Sequence, residues 1–299
     1  MTEWHPDPHT GLRVGLALIA ALVLIDVGLI AWAAAAPVTF ATFLVGLLVL
    51  LSLVAIGWLA YRLTGLIRSA YVLDRNAVVI LWGETEQVIP TPQIERVILG
   101  EEVRGRLRFR GVRWPGCWVG YGEIEGIGPV LFYATAPLEE QILIQTPGLA
   151  YAISPEDRDG FLRTLHSRLQ MGPTQLVEQS SHGPAFARWE FWQDRLALGL
   201  LSAGFLALLA LVGFLCARFP GLPPLLPLHF DAQGIPDRLG ARGEIFYIPL
   251  IGFVVLLTNS ALGGALYMRE RLAAYLLWGM GFLVQVLFWG AVLGILAVA

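Results

Sequence analysis

Five apolar runs, each long enough to cross a bilayer as a helix, constrain this chain more than anything else in it. They cover residues 14–36, 38–60, 196–217, 245–268 and 272–299. About 20 apolar residues span the hydrocarbon layer, and inside it every backbone amide must find its partner within the segment, so each run reads as a helix. Pro37 makes a tight hairpin of the first two, and "RER" at 269–271 separates the last two. A cleaved signal peptide is a poor account of the first run, which is too long and is preceded by Glu3 and Asp7. Only 14% of residues are charged and mean hydropathy is +0.66, against roughly 25% charged in a soluble domain.

Orientation follows from arginine placement, since basic residues near helix ends favour the cytoplasmic side. Arg13 precedes the first run; Arg62, Arg68 and Arg75 follow the second; Arg188 and Arg195 precede the third. The amino terminus and residues 61–195 are therefore expected in the cytoplasm, with 218–243 and the carboxyl terminus outside the cell membrane. Arg218, Arg238 and Arg242 run against this rule, although Asp231, Asp237 and Glu244 accompany them. The chain divides into an amino-terminal hairpin (1–67), a cytoplasmic domain (68–171), a linker with an interfacial segment (172–194), and three helices with their outer loop (195–299). "RWEFWQDR" at 188–195 reads as an interfacial collar, with Trp189 and Trp192 at headgroup level.

The cytoplasmic domain is expected to be all-β and closed by one helix. Runs rich in β-branched and aromatic residues at 70–74, 77–82, 86–89, 116–121, 129–134, 140–146 and 149–153 read as strands, the first two joined by a turn at Arg75-Asn76. A helix follows, with Ser154 as its expected cap, Pro155 in its first position, and an apolar stripe of Phe161, Leu162, Leu165 and Leu169. The segments "YVLDRNAVVILWGETEQVIPTPQIERV" at 71–97 and "WPGCWVGYGEIEGIGPVLFYAT" at 114–135 resemble bacterial pleckstrin-homology (PH)-like domains. That resemblance implies two nearly orthogonal antiparallel sheets with a carboxyl-terminal helix, and no enzymatic activity. The fold class is thus a five-helix multi-pass membrane protein with an inserted all-β PH-like domain.

Within that domain, "VRGRLRFRGVRW" at 103–114 sets Arg104, Arg106, Arg108 and Arg110 at alternate positions, so an extended strand turns all four to one face. Arg113 adds a fifth charge. Guanidinium groups grip phosphates in a bidentate way, which makes this row a candidate site for lipid headgroups. The plainer reading is an edge strand protected from pairing by its charge.

Two features belong to the membrane helices. Asp26 is the one carboxylate deep within a run, a functional candidate whose expected partners are Asn259, Ser260 or Gln285. The loop "LPLHFDAQGIPDRLG" at 226–240 sets His229 and Asp231 two apart, so an extended backbone points both the same way. Two ligands are too few for zinc, and no metal site is expected. With "IPLIG" after it, the loop is similar to a domain of unknown function, DUF1648, seen in SdpI-type immunity proteins. Pro227, His229, Phe230, Gly234, Pro236, Asp237 and Arg238 carry the similarity. The candidate ligand-binding residues of the loop are His229, Asp231, Asp237 and Arg238, with Asp231 standing where the similar domain commonly has Asn.

Several classes of function are disfavoured. All 20 basic residues are arginine, so Schiff-base chemistry and a phosphate-gripping lysine are absent. Cys117 and Cys216 fall in regions assigned to different compartments, which leaves no disulfide framework. With no nucleophile elbow and no metal motif, the chain is expected not to be an enzyme and to need no cofactor. A net charge of −3 gives no reason to expect nucleic acid. The expectation is a non-catalytic receptor-like or immunity-like protein whose partners are membrane lipids or another protein. An accessory or scaffold subunit of a larger membrane complex is the alternative.

Overall fold

The computed structural model describes residues 1–184, 189–230 and 236–298, with backbone alone at 229, 230, 236 and 237. Five helices are long and apolar enough to cross a membrane: α1 (His9–Ala35), α2 (Phe40–Ile67), α4 (Arg195–Arg218), α5 (Tyr247–Tyr267) and α6 (Arg271–Val298). A sixth and shorter helix, α3 (Arg158–Met171), lies in the β-rich part. The chain forms two compact units: Met1–Ile25 with Ser52–Ala187, and Asp26–Leu51 with Arg188–Ala299.

The first unit is built on two sheets. One is ordered β1-β2-β3-β4-β11, comprising Thr2–Trp4, Ser69–Leu73, Ala77–Trp82, Thr85–Pro90 and Ser180–His182. The other is ordered β5-β9-β10-β8-β7-β6, comprising Arg96–Leu99, Ile142–Thr146, Leu149–Ile153, Gly128–Ala134, Cys117–Ile124 and Leu107–Trp114. Strands β1, β5 and β11 go beyond those expected. Part of the segment read as a linker, 172–194, is thus ordered against the first sheet: Ser181 receives a hydrogen bond from the Gln87 amide at 2.7 Å, and the Asn76 side-chain oxygen accepts from the Thr174 and Gln175 amides.

The second sheet is mixed, which corrects the antiparallel pattern that the resemblance implied. After β8 the chain skips one place to form β9, then returns as β10 to fill the gap, parallel to β8 with Ala150 opposite Val130. The carboxyl ends of β8 and β10 therefore lie side by side. There Ser154 Oγ accepts from the Thr135 amide at 2.7 Å and from the Ala136 amide at 3.3 Å. Ser154 is thus not the cap of α3. Asp157 holds that position, its carboxylate accepting from the Gly160 amide at 2.9 Å, and the helix begins at Arg158, after Pro155.

The core lies between the sheets. Tyr71, Leu73, Ile80 and Ile89 of the first sheet meet Ile142, Ile144, Tyr151 and Ile153 of the second, and Phe161 and Leu165 of α3 complete the cluster. Tyr71 is fully buried, and its hydroxyl donates to the Tyr133 carbonyl at 2.7 Å while accepting from the Ser154 amide at 3.2 Å. The amino terminus is part of this body. Trp4 meets Phe161 edge to face at 6.0 Å, the His5 carbonyl accepts from the Glu156 amide, and Leu66 at the end of α2 enters the core.

In the second unit, small residues let α4, α5 and α6 approach closely, as is usual inside membranes. A Cβ on Gly252 would stand 2.8 Å from Gln285 Oε1, and one on Gly263 would stand 2.3 Å from the Trp278 indole nitrogen. Between α4 and α5 the chain forms a short antiparallel pair, β12 (Leu225–Phe230) and β13 (Pro236–Ala241). Leu226, fully buried, packs with Leu211, Leu215, Ile245 and Val292 at the end of the helices.

Candidate functional site

The arginine row lies at the free edge of the second sheet, because β6 pairs only with β7. Arg108 and Arg110 are in the strand, while Arg104 and Arg106 come just before it, where the Arg106 carbonyl accepts from the Glu125 amide at 3.2 Å. All four are exposed, and they alternate with the half-buried residues Val103, Gly105, Leu107 and Phe109. None is within ion-pair distance of a carboxylate among the described residues.

Arg113 does not join them. It stands an odd number of residues from Arg110, so its side chain leaves the opposite face, where the guanidinium carbon lies 3.9 Å from the centre of the Trp118 ring. That face opens on a cleft of ≈ 850 Å³, which also involves Arg158, Asp7, Glu140 and Glu156. Its charges are mixed, and Arg158 is already paired with Glu101 at 3.1 Å.

The candidate loop residues are partly described. Asp231 and Gly234 lie outside the described residues, and His229 and Asp237 are placed by backbone alone, His229 opposite Arg238 in the β12/β13 register. Arg238 is exposed and reaches Glu244 at 3.4 Å. Glu244 also accepts from the Ala241 amide at 3.0 Å, while the Arg242 guanidinium lies over Phe219. These contacts fix the return of the chain from β13 into α5.

Asp26 is buried, and neither carboxylate oxygen has a hydrogen-bond partner among the described residues. The expected link to Asn259, Ser260 or Gln285 is not formed. Gln285 donates instead to the Gly252 carbonyl at 2.8 Å, and the Ser260 carbonyl accepts from Trp278.

A second carboxylate, which sequence reasoning passed over as part of the collar, is the best-bonded among the described residues of the second unit. Asp194 caps α4, accepting from the Leu196 and Ala197 amides at 3.0 Å, and its other oxygen accepts from the hydroxyls of Tyr275 (2.5 Å) and Tyr267 (2.8 Å). Around it Phe191, Trp189 and Trp278 pack on Tyr267, and Arg271 pairs with Glu190. Trp189 is therefore bonded into the helix ends, its ring nitrogen donating to Met268 sulfur, whereas Trp192 stays half exposed.

The Tyr275 hydroxyl, then the Ala197 amide, hold the Asp194 carboxyl down at about 2, below its ordinary 3.8. A depressed folded-state value stabilises the fold above the unfolded value and loses that contribution as pH falls through the folded one. Thermal unfolding of the purified protein is thus expected to show a step of destabilisation between about pH 4 and pH 2. Asp194→Asn should remove that step. An unchanged acid profile in this variant would place the effect elsewhere.

Residues 69–169 match the family model of the bacterial PH domain, and residues 205–253 match that of a domain of unknown function, DUF1648. No curated protein and no solved structure matches the chain. The first match covers the two-sheet body from β2 nearly to the end of α3. The second runs from within α4 through the β12/β13 pair into α5. The chain thus carries a segment that matches the bacterial PH domain and a segment that matches DUF1648, together with five helices of membrane-spanning length and apolarity among the described residues.

Proposed function

We propose that this is a non-catalytic, receptor-like membrane protein. Its β12/β13 hairpin faces outward, and its PH-like domain, closed by α3, docks an acidic protein partner in the cytoplasm. The observation that carries the reading is the edge row of Arg104, Arg106, Arg108 and Arg110, exposed and without carboxylate partners. At about 3.4 Å per residue the row extends about 20 Å, whereas one headgroup layer is about 6 Å deep. All four reach that layer together only if the strand lies flat on it. An extended acidic segment added along the edge meets all four, and finds free backbone groups beside them.

The test uses the whole chain in zwitterionic nanodiscs and a labelled peptide of alternating Glu and Val. Exposed ion pairs contribute about 0.2–1 kcal/mol each, so changing all four arginines to Gln should weaken binding by between about fourfold and several hundredfold. Added salt should weaken the native protein in the same direction. Equal affinity in the variant removes the row from the account.

Sidedness needs introduced thiols. Cys117 is buried, and that burial pushes its thiol up to about 12, so it stays silent on either side of a membrane. In intact cells, an impermeant thiol reagent is expected to label Arg238→Cys and to spare Ser167→Cys on α3. The opposite pattern would invert the topology.

An accessory subunit of a larger complex is the second reading. A stoichiometric complex that survives detergent extraction would support it.

A further inference from the structure

Where α2 runs out of apolar residues, it encloses with the β3–β4 turn a pocket of ≈ 240 Å³. Arg62, Thr64 and Arg68 line it from the helix, Trp82 and Glu84 from the turn, and Tyr133 from β8. Two glycines bring these walls together. Gly83 adopts φ 63°, and a Cβ there would stand 3.0 Å from the Gly65 Cα, while a Cβ on Gly65 would stand 3.3 Å from the Trp82 ring.

The pocket is cationic and incomplete. Arg62 is half buried against Trp58, 5.2 Å from guanidinium carbon to ring centre, and its Nε is buried with no hydrogen-bond partner. A buried charged donor without an acceptor is unfavourable, and an arriving anion would remove that defect. Neither Arg62 nor Arg68 is within ion-pair distance of Glu84 or of any other carboxylate among the described residues.

Position supplies the rest of the argument. The apolar run of α2 stops at Ala60, and Trp58, Arg62 and Arg68 follow the order of an aromatic belt and a basic end, which marks the level of the headgroups. The planar guanidinium fork matches phosphate oxygens. At roughly 30 Å³ per water the pocket holds about eight waters' worth of space, enough for a phosphodiester and a small polar head. We propose that this pocket binds the phosphate of an anionic membrane lipid.

Native mass spectrometry tests this on the whole chain, released from detergent with equal amounts of phosphatidylglycerol and phosphatidylcholine. One phosphatidylglycerol is expected to be retained in preference, and the Arg62→Gln, Arg68→Gln double variant should lose about tenfold in that preference for each charge-assisted contact removed. Changing the β6 row to Gln should leave retention intact, so failure here is separate from failure of the protein-docking reading. Should the double variant unfold, Arg62→Lys with Arg68→Lys decides, since it keeps both charges without the fork and should retain the lipid about tenfold less. Undiminished retention in whichever variant stays folded overturns the proposal. So does equal competition by soluble glycerol 3-phosphate, which would make the ligand a free phosphate ester.

Discussion

Gly116→Val is expected to cost about 4 kcal/mol or more and to leave little folded protein, because it meets two separate obstacles. Gly116 has φ 83°, a conformation that β-branched residues avoid, and a Cβ there would stand 2.1 Å from the backbone nitrogen of Gly11. From the other side, a Cβ on Gly11 would stand 2.2 Å from the Gly116 carbonyl oxygen. The turn between β6 and β7 thus rests directly on the first turn of α1, and the Trp114 indole nitrogen donates to the Gly11 carbonyl at 3.3 Å. Gly126 is the control, since it has φ 85° but open space around it. Gly126→Val should show only the conformational cost, about 1–2 kcal/mol. Denaturant unfolding in detergent compares the pair, and equal losses would mean that helix and turn are not in contact.

Removing one oxygen from Tyr71 has the next largest effect for its size. Its hydroxyl joins the two sheets, and Tyr71→Phe leaves the Ser154 amide buried without an acceptor, at a cost of about 1–3 kcal/mol. Tyr71→Ala adds a cavity and should cost about 3–5 kcal/mol. Burial also raises the Tyr71 hydroxyl well above the ordinary tyrosine range, so it stays protonated wherever the protein is folded. The Phe variant is expected to keep its near-ultraviolet dichroism with a lower unfolding midpoint. A midpoint unchanged from the native protein would show that Ser154 finds another partner.

The membrane helices were legible because length and apolarity are properties of single segments. So were β2, β3, β4 and most later strands, whose side chains are β-branched or aromatic. Partners in distant sequence were not legible. "TEW" at 2–4 has nothing strand-like beyond its fit against Tyr71, Val72 and Leu73, and "SSH" at 180–182 has a linker's composition until Glu86, Gln87 and Val88 are beside it. Alternation reveals a strand but not the direction of its neighbour, so the parallel β8/β10 pair was out of reach. Asp194 was missed for a similar reason, since its hydroxyl donors come from Tyr267 and Tyr275 on later helices. Arg113 is different: its odd spacing from Arg110 already assigns it to the other face. The Arg62 and Arg68 pocket needed the β3–β4 turn, which no spacing along α2 announces.

Strand β1 has a consequence for how the molecule is made. Thr2, Glu3 and Trp4 are synthesised before either hairpin helix, whereas their partners Leu73, Val72 and Tyr71 follow only after both. At about 5–20 residues per second, the leading segment waits roughly 4–14 s for the strand that it completes. During that time α1 and α2 are made and enter the bilayer as a hairpin, and only a hairpin that returns the chain to the side of β1 lets β2 reach it. Membrane insertion and sheet closure are therefore ordered steps of one assembly, and a bulky fusion at the amino terminus would burden the second step more than the first.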